Sequence, residues 1–337
     1  MHNFELDITD RILKVDEDKF KDLVDEIFQF QLSNNDIYAQ WCKIFYGIDK
    51  QSSLNVEILD HYPFLPISHF KSHKVTCFPT HDIIFRSSGT TSSSSNTSKH
   101  YIHKVNDYKK SYLNGFKNAV KEQKFDVIMA LLPSYLDRSD SGLIHMVQGF
   151  IDEKICGVNE GKFYNQDIDL FIKDLKIHQN DGKKILVVGV TFALLQLCEK
   201  INLKMSGVNI IETGGMKGRG KELIRAELHE ILSSKLGVGN IWSEYGMTEL
   251  TSQAYSFSEG KFICPPWMKV LIQDPSDPKN FMDYGKTGRI CVIDLFNYHS
   301  CSFIATEDLG KLHRDGSFEV LGRLDYSDVR GCNLMIQ

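Results

Sequence analysis

"ILVVGVTFALLQLC" (185–198) is the most apolar run in the chain, and its reading decides the fold. It falls short of the roughly 20 apolar residues that a membrane-crossing helix needs. It divides instead into a buried strand, "KKILVVGV" (183–190), and a following helix, "TFALLQLCEK" (191–200). The same alternation recurs on both sides. "FDVIMALLP" (125–133) reads as a strand, as does "VNIIETGG" (208–215), with the helical "GKELIRAELHEILSSKL" (220–236) after it and the strand "GNIWSEYG" (239–246) next. Short apolar runs alternating with helices predict an α/β fold with a mostly parallel central sheet.

The flanks have a different character. In "DEDKFKDLVDEIFQF" (16–30), Phe20, Leu23, Val24, Ile27 and Phe28 recur at helical spacing behind an acidic first turn, which predicts an amphipathic helix. A second helix is expected from Asn35 to Tyr46. "YPFLPISHFK" (62–71), broken by Pro63 and Pro66, is expected to be an extended connection. After about Phe262 the segments "MKVLIQD", "GRICVIDLFN" and "GKLHRDGSFEVLGR" are strand-rich, with a tight turn at Asp315-Gly316. The expected division is an N-terminal helical segment (1–80) packed on the body, an α/β ligand-binding region (81–260) and a β-rich subdomain (261–337).

A net charge of −5 argues against a nucleic-acid partner. The N-terminus has no secretory leader pattern, and the eight cysteines form no CxxC, so free thiols in a cytoplasmic protein are expected. His69 and His73 have helical ligand spacing but no acidic or Cys partner nearby, and read as a surface pair.

Four places have the composition to meet a nucleotide. "FRSSGTTSSSSNTSKHY" (85–101) follows the apolar "DIIF". Its backbone N–H groups and the hydroxyls around Ser88, Gly89, Thr90 and Thr91 can wrap phosphate oxygens, with Lys99 adding a charge. A flexible linker has the same composition, and the segment alone leaves both readings open. "ETGGMKGRGKE" (212–222) puts Gly214 and Gly215 at a strand end, where backbone can approach a flat ligand or simply turn tightly. "YGMTE" (245–249) offers the ring of Tyr245, the small Gly246, the hydroxyl of Thr248 and the carboxylate of Glu249. "TEDLG" (306–310) and "GRLD" (322–325) bring an Asp and an Arg that can grip ribose hydroxyls or sit in ordinary turns.

In this order the motifs, from roughly Phe85 to Arg330, resemble the series of the adenylate-forming enzymes. That superfamily includes acyl- and aryl-CoA ligases and the adenylation domains of peptide synthetases. The resemblance implies an adenylate-forming body with mostly parallel sheets and a C-terminal β-rich subdomain, with ATP and Mg2+ as cofactors. It implies that Ser88, Gly89, Thr90, Thr91 and Lys99 lie near the ATP phosphates and Gly214 and Gly215 near adenine. Tyr245 and Gly246 would meet the base, Thr248 the α-phosphate, Glu249 the magnesium ion, and Asp308 and Arg323 the ribose. The chain departs from the pattern in three ways. Its phosphate loop is longer and Ser-filled, Glu307 stands where Gly is usual, and the mobile lid domain with its catalytic Lys is expected to be absent after the hinge motif.

"GRLDYSDVRGCNLM" (322–335), with "PFLP" and "HFK" upstream, narrows the resemblance to the acyl-protein synthetases of the bacterial bioluminescence fatty-acid reductase complex. By that resemblance Cys332 accepts the acyl group as a thioester and passes it to a partner protein, such as a reductase or carrier. Arg330 is a cation that could favour its thiolate, and Arg330, Lys99 or a partner protein could supply the missing cation. Cys301 beside His299 is the competing thiol, more simply read as a strand core position. The acid, by resemblance a long-chain fatty acid, is expected near Ser141, Gly142 and His145 in "LPSYLDRSDSGLIHMVQGF" (132–150). The alternatives are an acyl- or aryl-CoA ligase body served by another chain, and an inert acid- or nucleotide-binding subunit.

Overall fold

The computed structural model describes residues 2–50, 59–87, 97–132, 140–165, 167–201, 204–214 and 224–324. Three helices open it: α1 (His2–Leu13), α2 (Glu17–Asn34) and α3 (Asp36–Trp41). Asp16 caps α2 by accepting from Lys19 N, and Glu17 and Asp18 complement the helix dipole. The face predicted for this helix, Phe20 to Phe28, is buried, and Gln31 and Leu32 extend it by a further turn. The second predicted helix is α-helical only over α3. It then widens into a π-turn (Cys42–Tyr46) and stops at Gly47, whose φ of 71° favours glycine.

The Pro-broken connection holds more structure than expected. Leu65–Pro66 (β1) pairs in parallel with a distant strand, and a short helix α4 (His69–Ser72) follows because Phe70 turns inward to full burial. A two-stranded ladder, β2 (Ile83–Arg86) with β3 (Lys99–Ile102), leads into α5 (Val105–Val120).

Next comes the alternating unit: β4 (Val127–Leu131), α6 (Gly142–Asp152), β5 (Glu160–Phe163), α7 (Ile168–Asn180), β6 (Ile185–Val190), α8 (Thr191–Lys200), β7 (Val208–Thr213), α9 (Arg225–Leu236), β8 (Ile241–Tyr245) and β9 (Ala254–Ser256). The sheet order is β5-β4-β6-β7-β8-β9, parallel throughout except for β9. Strands β4 and β6 are buried at every position, as strands covered by helices on both faces must be.

The β-rich part comprises β10 (Lys261–Phe262), β11 (Met268–Gln273), β12 (Thr287–Asp294), β13 (Phe303–Leu312) and β14 (Phe318–Arg323), ordered β10-β14-β13-β12-β11. The turn predicted at Asp315-Gly316 joins β13 to β14, with Gly316 at φ 82°. β1 adds to β13, and the N-terminal helices share this sheet's core. Phe303 lies at its centre, ringed by Phe28, Tyr38, Tyr62 and Phe64. Gln31 of α2 donates to the Asn297 and Tyr298 carbonyls and accepts from Ser302 N. Among the described residues no helix is long and apolar enough to cross a membrane.

Candidate active site

Four expected residues converge where β8 ends. Tyr245, its last residue, donates its hydroxyl to Asp308 of β13 at 3.0 Å. Asp308 in turn faces Arg323 across the β13–β14 register, with Arg323 Nε 3.5 Å from Asp308 Oδ1. Burial pushes the Asp308 carboxyl up, and Arg323 and the Tyr245 hydroxyl pull it back. The Tyr245 ring is held by Phe262 and Phe318. Gly246 follows because the space its side chain would need is taken: a Cβ there would collide with Glu244 Oε1.

The rest of YGMTE is fixed by buried polar groups from three elements. His100 Nδ1 of β3 donates to the Thr248 carbonyl at 2.7 Å, and its Nε2 lies 2.9 Å from Asn297 Oδ1. Asn297 Nδ2 donates to the Glu249 carbonyl at 2.8 Å. Asp294 accepts from the backbone N–H groups of Thr251 and Ser252 at 2.9 and 2.8 Å. Glu249 is 6% exposed. Burial pushes its carboxyl up, while a hydrogen bond from Ser98 and the charges of Lys71 and Arg323 favour its ionised form. One hard, nearly buried carboxylate suits magnesium, which takes one or two carboxylates and completes its shell from phosphates and water.

Ser98 and His100 tie the exit of the Ser-rich stretch to YGMTE. Its entry and exit also meet: Ser87 N donates to Ser98 O, Ser98 N donates to Ser87 Oγ, and Arg86 pairs with Lys99. The residues on either side of the stretch are therefore bonded to each other and, through Ser98 and His100, to YGMTE. Ser88, Gly89, Thr90, Thr91, Gly215, Arg330 and Cys332 lie outside the described residues.

Gly214 (φ 73°) ends β7 beside a buried network, where the Thr191 hydroxyl meets Glu212 and the Gly214 carbonyl. Arg225 and Ser243 complete the shell of Glu212, at 3.2 and 3.3 Å. Ser141, Gly142 and His145 lie at the start of α6. Ser141 caps the helix through Ile144 N, and the Gly142 carbonyl accepts from Tyr108 Oη. His145 sits among Phe85, Tyr108 and Tyr112 with its Nδ1 unpartnered among the described residues, and burial holds its pKa down. His69 and His73 have their rings 5.5 Å apart, and no cluster of three or more metal-binding side chains occurs among the described residues.

Sequence reasoning missed His100, Asn297 and Asp294. Each is an ordinary polar residue in its own segment and gains meaning only from the juxtaposition of residues 100, 248 and 297. Asp294 carries a testable consequence. Burial raises its pKa to about 6 against an ordinary 3.8, so its buried charge costs stability as pH rises through that window. Relative to Asp294→Asn, the natural chain is expected to lose on the order of 3 kcal/mol of unfolding free energy between about pH 4 and 7. Urea unfolding of both proteins across that range checks it, and parallel curves would contradict it.

Comparison with solved structures gives the same architecture. Structures of 2-hydroxyisobutyryl-CoA ligase in the postadenylation state with 2-HIB-AMP align at TM-score 0.69 and 12% identity, over 92% of this chain and 68% of that one. ATP-bound MatB from Rhodopseudomonas palustris aligns at TM-score 0.54 and 18% identity over 71% of this chain, which spans about half (47%) of that protein's length. The fold is that of the adenylate-forming enzymes. In sequence, the long-chain-fatty-acid–luciferin-component ligase of Aliivibrio fischeri is 25% identical over 93% of this chain and 86% of its own length. The protein of the same name from Vibrio harveyi is 23% identical over 93% and 85%. The family described as "Acyl-protein synthetase, LuxE" matches residues 12–337, and with that the chain belongs to the acyl-protein synthetase family.

Proposed function

We propose that the chain activates a carboxylic acid, a long-chain fatty acid first among them, and loads it onto its own Cys332. The carboxylate attacks the α-phosphorus of ATP and displaces pyrophosphate. The Cys332 thiolate then attacks the acyl carbonyl, the bond to AMP breaks, and the thioester passes to an acyl-accepting partner protein. The observation that carries this reading is the fixing of Thr248 and Glu249 beside the Tyr245–Asp308–Arg323 trio. In that frame Asp308 and Arg323 hold the ribose, Tyr245 and Gly246 meet the base, and Lys99 and the Ser88–Thr91 loop face the phosphates. Ser141, Gly142 and His145 line the acid's side. Glu249 would hold magnesium, which draws negative charge off the phosphate oxygens.

Support for the acceptor comes from the other seven cysteines. Burial pushes the thiol of Cys42 to about 12, Cys198 to about 11 and Cys264 to about 12, and it raises Cys77, Cys156, Cys291 and Cys301 as well. Cys301 is fully buried, with its Sγ on the Phe303 carbonyl. None of the seven is set up as a thiolate nucleophile.

The test is incubation with ATP, magnesium and acids of graded chain length, read by pyrophosphate release and intact mass. The reading expects acid-dependent release and a hydroxylamine-labile acyl adduct. Consumption of coenzyme A with no adduct would replace it with a CoA-ligase reading.

His100 is a positioning residue in this scheme. His100→Phe keeps an aromatic ring but removes both nitrogens, leaving the Thr248 carbonyl unpaired. It is expected to cost about 1–3 kcal/mol of stability and to lower the kcat of pyrophosphate exchange about tenfold or more. Asn297→Ala should repeat the kcat loss. An unchanged kcat in both variants would remove the role.

A further inference from the structure

Lys71, the last residue of the upstream segment HFK, reaches this site from outside the motif series that begins at Phe85. It lies on α4, whose Phe70 packs edge-on against His100 at 5.8 Å, so the helix is seated against the strand that leaves the phosphate loop. The Lys71 ammonium is 3.8 Å from Glu307 Oε1, and its charge favours ionisation of the buried Glu249 carboxylate, as that of Arg323 does. Glu307 is the residue that departs from the usual Gly, directly before Asp308. An acid new to the pattern and a lysine outside it thus meet beside the candidate magnesium ligand. Stability does not explain the pair, because half-exposed ion pairs of this separation contribute little. A lysine on a flexible four-carbon stem is, by contrast, suited to follow a phosphate.

We propose that Lys71 contacts the polyphosphate of the nucleotide, with Glu307 holding its ammonium at the mouth of the site until phosphate charge takes it over. The inference rests on the adenylation reading and adds a cation to it that comes from the N-terminal segment. Exchange of one anionic partner for a more highly charged one requires no covalent step. It also makes the two members of the ion pair unequal. Removing Lys71 deletes a phosphate contact, whereas removing Glu307 deletes only a competitor for it.

The experiment uses the full chain with Lys71→Met, Lys71→Arg, Glu307→Gln and the Met/Gln double variant. Affinities for MgATP, pyrophosphate and AMP are read by calorimetry, and acid-dependent pyrophosphate exchange is read beside them. Lys71→Met is expected to weaken MgATP and pyrophosphate about tenfold to a hundredfold, the loss of one charge-assisted contact, and to leave AMP nearly unchanged. Lys71→Arg should keep most of the affinity. Glu307→Gln should bind MgATP as tightly as the natural chain or more so, and should have no effect once Lys71 is gone. Equal weakening by Lys71→Met and Glu307→Gln would mark a merely structural pair and overturn the proposal. So would normal exchange with unaltered MgATP affinity in Lys71→Met. Lys71-dependent MgATP binding without any exchange would support the contact while sinking the adenylation reading. Failure of the natural chain to bind MgATP would sink both.

Discussion

Cys332→Ser is expected to abolish the covalent acyl adduct while leaving acid-dependent pyrophosphate exchange within about twofold of the natural chain. The two half-reactions use different atoms. In the proposed scheme adenylation uses the carboxylate, the α-phosphorus and the groups around Glu249, whereas acyl transfer needs a nucleophile that departs readily again. A thiol with an ordinary pKa near 8.5 is a few per cent thiolate at neutral pH, and a serine hydroxyl in the same place is not ionised at all. The seven remaining cysteines are poorer acceptors, because full or partial burial raises the pKa of each thiol. Intact mass after incubation with ATP and a fatty acid, with and without hydroxylamine, gives the readout. An adduct of undiminished yield in Cys332→Ser would move the acceptor elsewhere. Loss of exchange together with the adduct would show that the residue serves the first step as well.

Glu249→Gln is expected to lower pyrophosphate exchange by about 10²- to 10³-fold, the range seen when a preorganised electrostatic contact to the reacting centre is removed. The amide nearly keeps the size and can still accept the hydrogen bond from Ser98, so the loss reports charge rather than packing. A large excess of magnesium or manganese should restore part of the rate. Burial raises the Glu249 pKa, and a metal ligand must be ionised to bind. Magnesium affinity is therefore expected to fall as pH drops toward the carboxylate range in the natural chain, and to be flatter in Glu249→Gln. An exchange rate within a few-fold of the natural chain at low magnesium would take the metal away from this residue.

The parts of the fold legible in the sequence were those in which burial fixes residue type. β4, β6 and β7 read directly as apolar runs, and the helical spacing of Phe20 to Phe28 marked α2, because a sheet covered on both faces and an amphipathic helix each leave a periodic record. α4 went unseen just after Pro66 because only four residues turn, and what turns them is the burial of Phe70 against His100. The site was legible in the same partial way. The order of motifs predicted Tyr245, Asp308 and Arg323, and the structure brings the three into contact. Local spacing gave no sign of His100, Asn297 or Asp294, since each satisfies a backbone group supplied by another region of the chain. The helix cap that Ser141 provides for α6 was not read from the sequence either.

The pairing of β1 with β13, Leu65 against Ile304, has a consequence for biogenesis. Gln31 bonds to residues 266 and 267 positions further along the chain, so the first helices cannot finish folding while the ribosome is still translating the middle. The alternating βα unit can collapse as it emerges, but the opening helices must wait with their apolar faces uncovered until nearly the whole chain is out. Such long-range closure slows folding and makes the nascent chain a client for chaperones, most of all when translation pauses before Phe303.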